Sequence, residues 1–411
     1  MRIGIDARLV GGASGGVEQA LLGLAHGLAQ LANDDDTQYL FLTWPEHQEW
    51  LRPYVGNNAA LIATAQPSTT IWRQLAQPIR PIVRRVRSAA LRVLGDAAIA
   101  IPASDGTLER AGADLVHFPT QSAFTTSLPS IYQPWDLQHV HHPEYFTDFA
   151  WKDRDVRYRR FCSEASVVVV ASEWTKADLM KMYGVDEAKI AVIPIPPPIA
   201  AYQPLTHAVQ AETQRGYHLP SAYFFYPAQT WAHKNHLKLL DALALVRDRR
   251  GLTVPLVLSG RHTEYHGNIV ERIRALGLER QVVDLGFISA DALHAILTSA
   301  TALVFPSRFE GWGLPVGEAF LAGVPVLCAE STSLTEQAGD AAILFNPDDV
   351  SDIARAIEVM WTNESLRHSL AERGAARVAR FSWAAAARAY RDQYRRVADL
   401  PRSAIGSALR T

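Results

Sequence analysis

Ala302-Leu303-Val304-Phe305, then Pro306-Ser307-Arg308, then Phe309-Glu310-Gly311-Trp312-Gly313-Leu314-Pro315-Val316-Gly317-Glu318-Ala319, is the run from which the 411-residue chain is best read. The four leading apolar residues suit a buried strand. Pro315 suits the first position of a helix, which places Glu318 in the first turn. A strand that ends before Glu310 delivers that carboxylate to a loop at its carboxyl end, where open α/β sheets bind ligands. Gly313 and Leu314 then offer backbone N–H groups at the positive end of the helix. Ionised carboxylates accept hydrogen bonds from hydroxyls, and helix-start amides hold phosphate. Acids for hydroxyls beside a cradle for phosphate describe a nucleotide-sugar site. Taken singly, Glu318 reads as a complement to a helix dipole and Glu310 as a solvated loop charge. The pair, the glycines and the proline together favour the site.

Working outward, short apolar runs alternate with helical patterns. Ile3 to Ala7 reads as a strand, and Val17, Leu21, Leu24, Leu28 and Leu31 then repeat at helical spacing. Further strands are expected at Tyr39 to Thr43, Ala60 to Thr64, Leu115 to Phe118, Ser130 to Gln133, Val167 to Ala171 and Ile190 to Ile193. Ser172 is placed to cap a helix over Trp174 to Met182. Pro194, Pro196, Pro197, Pro198 and Pro204 make a stiff connector, so the domain boundary is expected at 204/205. A second series follows, with strands at Tyr223 to Tyr226, Pro255 to Leu258, Val282 to Leu285, Ala302 to Phe305, Pro325 to Cys328 and Ala342 to Phe345. Such alternation implies α/β architecture, with two doubly wound, Rossmann-like domains built on parallel sheets. Residues 382–411 hold a final helical stretch.

Composition bounds the function. An apolar fraction of 48% and a charged fraction of 20% are those of a globular protein. A net charge of −2 gives no global attraction to nucleic acid, which is not expected as a partner. Cys162 and Cys328 lack the companions of a zinc site, and their sparsity fits a reducing compartment. The N-terminus reads as a first strand rather than a signal peptide, and no run of about 18 apolar residues suggests a spanning helix. A cytoplasmic protein is the expectation. One segment complicates it. Within a basic insertion at 66–107, residues 66–94 carry Arg73, Arg80, Arg84, Arg85, Arg87 and Arg92 without an acid, interleaved with Trp72 and aliphatic residues. Such a stretch either lies on an anionic inner-membrane surface, at about 1 kcal/mol per basic residue, or is a solvated arm or subunit contact.

Glu310 and Glu318, eight positions apart in a Phe-Glu-Gly-x-Gly-Leu-Pro-x-x-Glu-Ala context, resemble the signature of family-4 retaining glycosyltransferases, most closely those of bacterial envelope polysaccharides. The resemblance implies the GT-B architecture: domains 1–204 for acceptor and 205–381 for donor facing a cleft, and a terminal helix (382–411) crossing back to the first domain. It implies a metal-independent enzyme with no cofactor. Its substrates would be a nucleotide sugar, GDP-mannose being the usual donor, and a saccharide or polyprenyl-linked acceptor. The same scaffold serves nucleotide-sugar epimerases and non-catalytic binding subunits. The former should lack the paired glutamates, and the latter should have lost Lys234 or one glutamate.

The resemblance also distributes roles. Glu318 would hold ribose hydroxyls, Glu310 the donor sugar, and Lys234 with the Gly313 and Leu314 amides the diphosphate. Lys234 precedes Asn235 at a helix start, where an ammonium neutralises a departing diphosphate. Where many members carry an arginine, this chain has Gln229; Arg261 is the candidate replacement. Ser259-Gly260 and Phe287-Ile288 occupy donor and base positions. Gly15 and Gly16 form a turn before the first helix, in a Gly-Gly-x-x-Gly-Gly spacing that is not a dinucleotide fingerprint. Asp136 and His139 are the acceptor-side candidates in a Trp135-to-Phe146 cluster, with Trp135 standing where members often have histidine.

Overall fold

The computed structural model describes residues 1–12, 15–32, 34, 36–64 and 95–400. The chain forms two compact units, one of Met1–Pro194 with the segment from Trp383 onward, the other of Ile195–Ser382. The basic stretch 66–94 lies outside the described residues.

The first unit is a seven-stranded parallel sheet: β1 (Arg2–Asp6), β2 (Gln38–Thr43), β3 (Ala59–Ala63), β4 (Leu115–Phe118), β5 (Ser130–Tyr132), β6 (Val167–Val170) and β7 (Ile190–Val192), in the order β3-β2-β1-β4-β5-β6-β7. β4 and β6 are buried along their whole length, which is why Leu-Val-His-Phe and Val-Val-Val-Val show no alternation. The helix Gly16–Gln30 carries a buried face of Leu21, Leu24, Ala25 and Leu28. On it lies the helix Trp383–Ala398, admitted by two glycines. A Cβ on Gly23 would fall 2.0 Å from the Trp383 ring, and one on Gly27 2.5 Å from the Trp383 carbonyl oxygen. Polar contacts fix its register. Tyr394 Oη is 2.9 Å from His117 Nδ1, Tyr390 donates to Gln133 Oε1 at 3.0 Å, and Arg391 to Asp34 at 2.8 Å.

The second unit is a six-stranded parallel sheet: β8 (Phe224–Pro227), β9 (Leu256–Ser259), β10 (Val282–Asp284), β11 (Ala302–Phe305), β12 (Val326–Ala329) and β13 (Ala342–Phe345), in the order β10-β9-β8-β11-β12-β13. The chain winds one way from β8 to β10 and the other from β11 to β13. The reversal opens a crevice at the carboxyl ends of β8 and β11, the switch point where doubly wound sheets bind ligands. No helix among the described residues is long and apolar enough to cross a membrane.

Two expectations from sequence need correction, and one helix was not foreseen. The units change at 194/195, not 204/205, because the proline segment packs on the second unit. Ile195 O accepts from Trp312 Nε1 at 2.8 Å, and a Cβ on Gly317 would lie 3.6 Å from Pro197 Cγ. The helix after Glu310 runs Leu314–Leu321, so Pro315 is not its first residue and no acid occupies its first turn. Asp148–Glu164 is a helix that the apolar pattern does not announce, because its buried face includes Asp155 and Tyr158 while i,i+4 ion pairs (Asp153–Arg157, Asp155–Arg159, Arg160–Glu164) line the rest.

Candidate active site

Lys234 and Glu310 are delivered by the two loops that flank the switch point. After β8 the chain turns through Trp231 to Asn235, which adopts φ 61° and caps the helix His236–Arg250. Asparagine tolerates that left-handed conformation better than most residues. Its buried side-chain amide donates to Pro306 O at 3.1 Å and Pro347 O at 2.8 Å, tying the turn to the ends of β11 and β13. Tyr226 donates to Lys234 O at 2.6 Å. The Lys234 ammonium is thus held from both sides of its backbone and reaches Glu310 Oε1 at 2.5 Å. Both side chains are mostly buried, 17% and 14% exposed.

Glu310 is gripped through its backbone by residues whose part sequence reading missed. Thr332 Oγ1 accepts from Glu310 N at 3.1 Å and donates to Glu310 O at 3.0 Å, while Ser333 Oγ donates to the same carbonyl at 2.9 Å. Ser331 Oγ adds a bond to Ser307 O at 3.0 Å. Thr332 itself sits at φ 46°, an unusual conformation for a β-branched residue. The available signal was Ser331-Thr332-Ser333 directly after a buried strand, in the position of β12's carboxyl end.

Beyond Glu310, Gly313 takes φ 94° and begins the helix Leu314–Leu321 without a side-chain cap; Pro315 carries no N–H and Val316 N donates to Gly313 O at 3.0 Å, so Leu314 supplies the first amide of the helix start. A Cβ there would meet Leu334 Cδ2 at 2.5 Å. Glu318 is partly buried past the first turn, and burial pushes its carboxyl up to about 7. Lying past the first turn, Glu318 is out of position to complement the dipole of that helix.

The remaining donor-side candidates sort by exposure. Gly260 adopts φ 140°, and a Cβ would fall 2.3 Å from Ala228 O, so only glycine lets these two strand ends close up. Ser259 is buried, and its Oγ has no partner among the described residues. Ile288 is buried in the core and offers only backbone, whereas Phe287 is 61% exposed with the Arg261 guanidinium 4.3 Å over its ring. Gln229 accepts from Trp231 Nε1 at 3.0 Å.

In the first unit, Gly15 (φ 54°) begins the helix Gly16–Gln30, again with no side-chain cap, and both Gly15 and Gly16 are exposed. The Gly12 amide donates to Glu18 Oε1 at 2.8 Å, folding the turn onto the helix start. Asp136 is half-buried and accepts from Arg154 at 3.2 Å and from Gln138 N at 3.0 Å. It follows Trp135, which holds φ 74° and donates from Nε1 to Pro119 O at 3.0 Å. His139 requires a correction. It is fully buried, its Nε2 is 2.8 Å from Tyr183 Oη, and burial pushes it down to about 3. A ring with no exposed surface and its Nε2 bonded to Tyr183 is not placed to meet an acceptor. His141, paired with the buried Asp178 at 2.8 Å, and His142, paired with Glu144 at 3.0 Å, are the histidines of this cluster that meet solvent.

Two Rossmann-like sheets, the second with a cation and an acid at its switch point and a bare helix start beside them, define a glycosyltransferase of the GT-B fold. Residues 14–196 match the family model described as Glycosyltransferase Family 4, and residues 213–377 match the one described as Glycosyl transferases group 1. The chain carries both domains in that order. It is 29% identical over 274 residues to O-antigen chain mannosyltransferase B of Escherichia coli, an alignment covering 62% of this chain and 70% of that one. It is 35% identical over 170 residues to the serotype-specific mannosyltransferase WbdA of Escherichia coli, covering 41% of this chain and 21% of that one, so it spans only about a fifth of WbdA. Among solved structures, Anabaena HepE in complex with UDP and glucose superposes with a TM-score of 0.69 at 18% identity, covering 96% of this chain and 100% of that one. At that identity the likeness concerns the fold alone.

Proposed function

We propose that this glycosyltransferase moves mannose from GDP-mannose, with retention of configuration, to a saccharide or lipid-linked saccharide acceptor in envelope-polysaccharide synthesis. The observation that carries the reading is the Lys234–Glu310 pair at the switch point, ahead of an uncapped helix start. The sugar identity follows the names of the relatives, two mannosyltransferases of Escherichia coli.

In this reading Lys234 exchanges Glu310 for the donor diphosphate, and the Gly313 and Leu314 amides hold its other oxygens. Glu310, released from the ammonium, accepts hydrogen bonds from sugar hydroxyls, and Glu318 accepts them from the ribose. The acceptor oxygen attacks the anomeric carbon on the face from which the diphosphate departs. As the carbon–oxygen bond to the diphosphate breaks, the acceptor proton passes to a phosphate oxygen. Lys234 and the helix start stabilise the charge that builds on the leaving group, so no metal is assigned a role in the step. Glu318 ionises more readily once hydroxyl donors face it, because hydrogen bonds to a carboxylate favour its charged form.

The test is to incubate the protein with GDP-mannose, UDP-glucose and UDP-galactose, with and without an oligomannoside acceptor, and to follow released diphosphate and product anomers. Acceptor-dependent GDP release with an α-linked product is expected. Acceptor-dependent release from the UDP-sugars alone would overturn the donor assignment, and interconversion of sugars without release would overturn transfer. A peripheral membrane role for residues 66–94 is proposed on composition alone. Co-sedimentation with anionic vesicles is expected to fall when Arg84, Arg85 and Arg87 are replaced, and unchanged binding would end that role.

A further inference from the structure

We infer that a cavity on the first unit, walled by Phe146 and Trp151, is a subsite for one sugar unit of a neutral saccharide acceptor. The inference rests on the proposed transfer to a saccharide and names where such an acceptor is held. The cavity has a volume of about 470 Å3, and its lining includes Asp96, Asp148 and Lys152. Small-molecule sites span about 300–1,000 Å3. Phe146, Asp148 and Trp151 belong to the stretch that joins the carboxyl end of β5 to β6 through the helix Asp148–Glu164. They stand at the carboxyl edge of a parallel sheet, where open α/β sheets bind ligands.

The two aromatic walls share one backing. The buried His139 ring stands 6.2 Å from Phe146 and 6.5 Å from Trp151, centroid to centroid. The Arg154 guanidinium lies 5.5 Å from the Phe146 centroid and donates to Asp136, so one side chain links this wall to the acceptor-side carboxylate. Both rings are half-buried and fixed by this packing, which leaves little ordering to be done when a ligand enters.

A pyranose presents apolar carbon–hydrogen faces and a rim of hydroxyls, and the cavity offers a complement to each. Aromatic rings take the faces. The Asp96 and Asp148 carboxylates accept from hydroxyls, and the Lys152 ammonium donates to them. Trp151 Nε1 is buried with no acceptor among the described residues. A buried donor left unpaired is costly, and a hydroxyl oxygen can accept from it. Charge selects among ligands. Lys152 Nζ is 2.7 Å from Asp96 Oδ1, so the one cation of the lining is already matched and Asp148 leaves the wall net negative. Phosphates and anionic headgroups are repelled there, and a neutral saccharide is not.

The experiment titrates the full chain, without donor, with a linear α-linked mannotriose by calorimetry. Saturable binding is expected, and inorganic phosphate should not compete with it. Phe146→Ala and Trp151→Ala should each weaken binding by about fivefold or more. Trp151→Phe, which keeps a ring in the wall, should weaken it less than Trp151→Ala, and Asp148→Asn tests the polar rim without disturbing the packing. In the transfer assay the same changes should raise KM for the trisaccharide and leave kcat and KM for GDP-mannose in place, as loss of uniform binding does. No binding to the natural chain, unchanged affinity in both alanine variants, or competition by phosphate would overturn the subsite. Transfer from GDP-mannose that is indifferent to all four changes would strike the subsite alone, whereas trisaccharide binding lost in these variants, with no turnover of GDP-mannose, would strike only the donor reading.

Discussion

The Lys234 ammonium lies 2.5 Å from Glu310 Oε1 and joins two loops that stand 76 residues apart in sequence. Without donor, each charge neutralises the other in a site that is mostly closed to water. The pair is a structural tie and, in the proposed reading, holds the cation that the donor phosphate claims. Lys234→Ala is expected to lower kcat about 100- to 1000-fold, the size of losing one preorganised donor at a developing anion. It should also leave a carboxylate without its partner. In a double-mutant cycle on urea stability, Lys234→Ala/Glu310→Gln is expected to cost less than the two single changes added together. Strict additivity would show that the pair is not coupled.

Glu318 titrates in the range where donor binding is measured. Its carboxyl is pushed up to about 7 by burial, from an ordinary value near 4.5. Near pH 6.5 much of it is protonated in the free protein, and ribose hydroxyls donating to it favour the ionised form. Nucleotide binding is expected to release protons there, detected as a binding enthalpy that varies with the ionisation enthalpy of the buffer. Glu318→Gln should abolish that dependence and weaken nucleotide binding. Buffer-independent enthalpies in the natural chain would remove Glu318 from the nucleotide site.

Stability should fall on acidification below neutrality. His117, His139 and His236 are each pushed down to about 3 by burial, so the folded chain refuses protons that the unfolded chain takes up below about 6.5. Where the unfolded state binds more protons, stability rises with pH. Glu318 has the opposite sign between about 4.5 and 7, since there the folded state holds the proton. Three groups outweigh one. Urea unfolding is expected to show a lower free energy at pH 5 than at pH 7, with Glu318→Gln steepening the fall.

Gly260→Ala is expected to destabilise the second unit by at least about 2 kcal/mol. The new methyl would meet backbone, Ala228 O at 2.3 Å, at φ 140°. Neither neighbour is free to yield, because Ala228 N donates to Ser259 O and Gly260 N to Gly286 O, both at 2.7 Å. Thermal unfolding measures the loss, and a Tm within a degree of the natural chain would refute the argument.

Gly23→Ala tests the docking of the last helix within the first unit. In an exposed helix the change would gain about 1 kcal/mol of propensity. Here the methyl would fall 2.0 Å from the Trp383 ring, and overpacking of that kind costs about 1–3 kcal/mol. A net loss is expected, relieved when Trp383→Leu is added. Stabilisation by Gly23→Ala alone would mean that the two helices do not pack as described.

The alternation of apolar runs with helical periods determined the fold by itself. The thirteen strands of the described residues, in two parallel sheets, follow from segments such as Leu115 to Phe118 and Ala302 to Phe305, whose short, uninterrupted hydrophobicity suits a strand buried on both faces. The acids, the lysine and the helix after Glu310 were legible too, because strand ends, glycines and proline are local signals. Tertiary structure alone decided which polar residues face the crevice. His139 and His141 look alike in sequence, yet one is sealed among aromatic rings while the other meets solvent with Asp178 behind it. The grip of Thr332 and Ser333 on Glu310, and the meeting of His262 and His266 with Asp284, join elements that are separate along the chain. Local pattern specifies which face of a strand or helix is apolar. It carries no record of which loops the winding of a sheet brings side by side, and the Lys234–Glu310 pair exists only because that winding joins two of them.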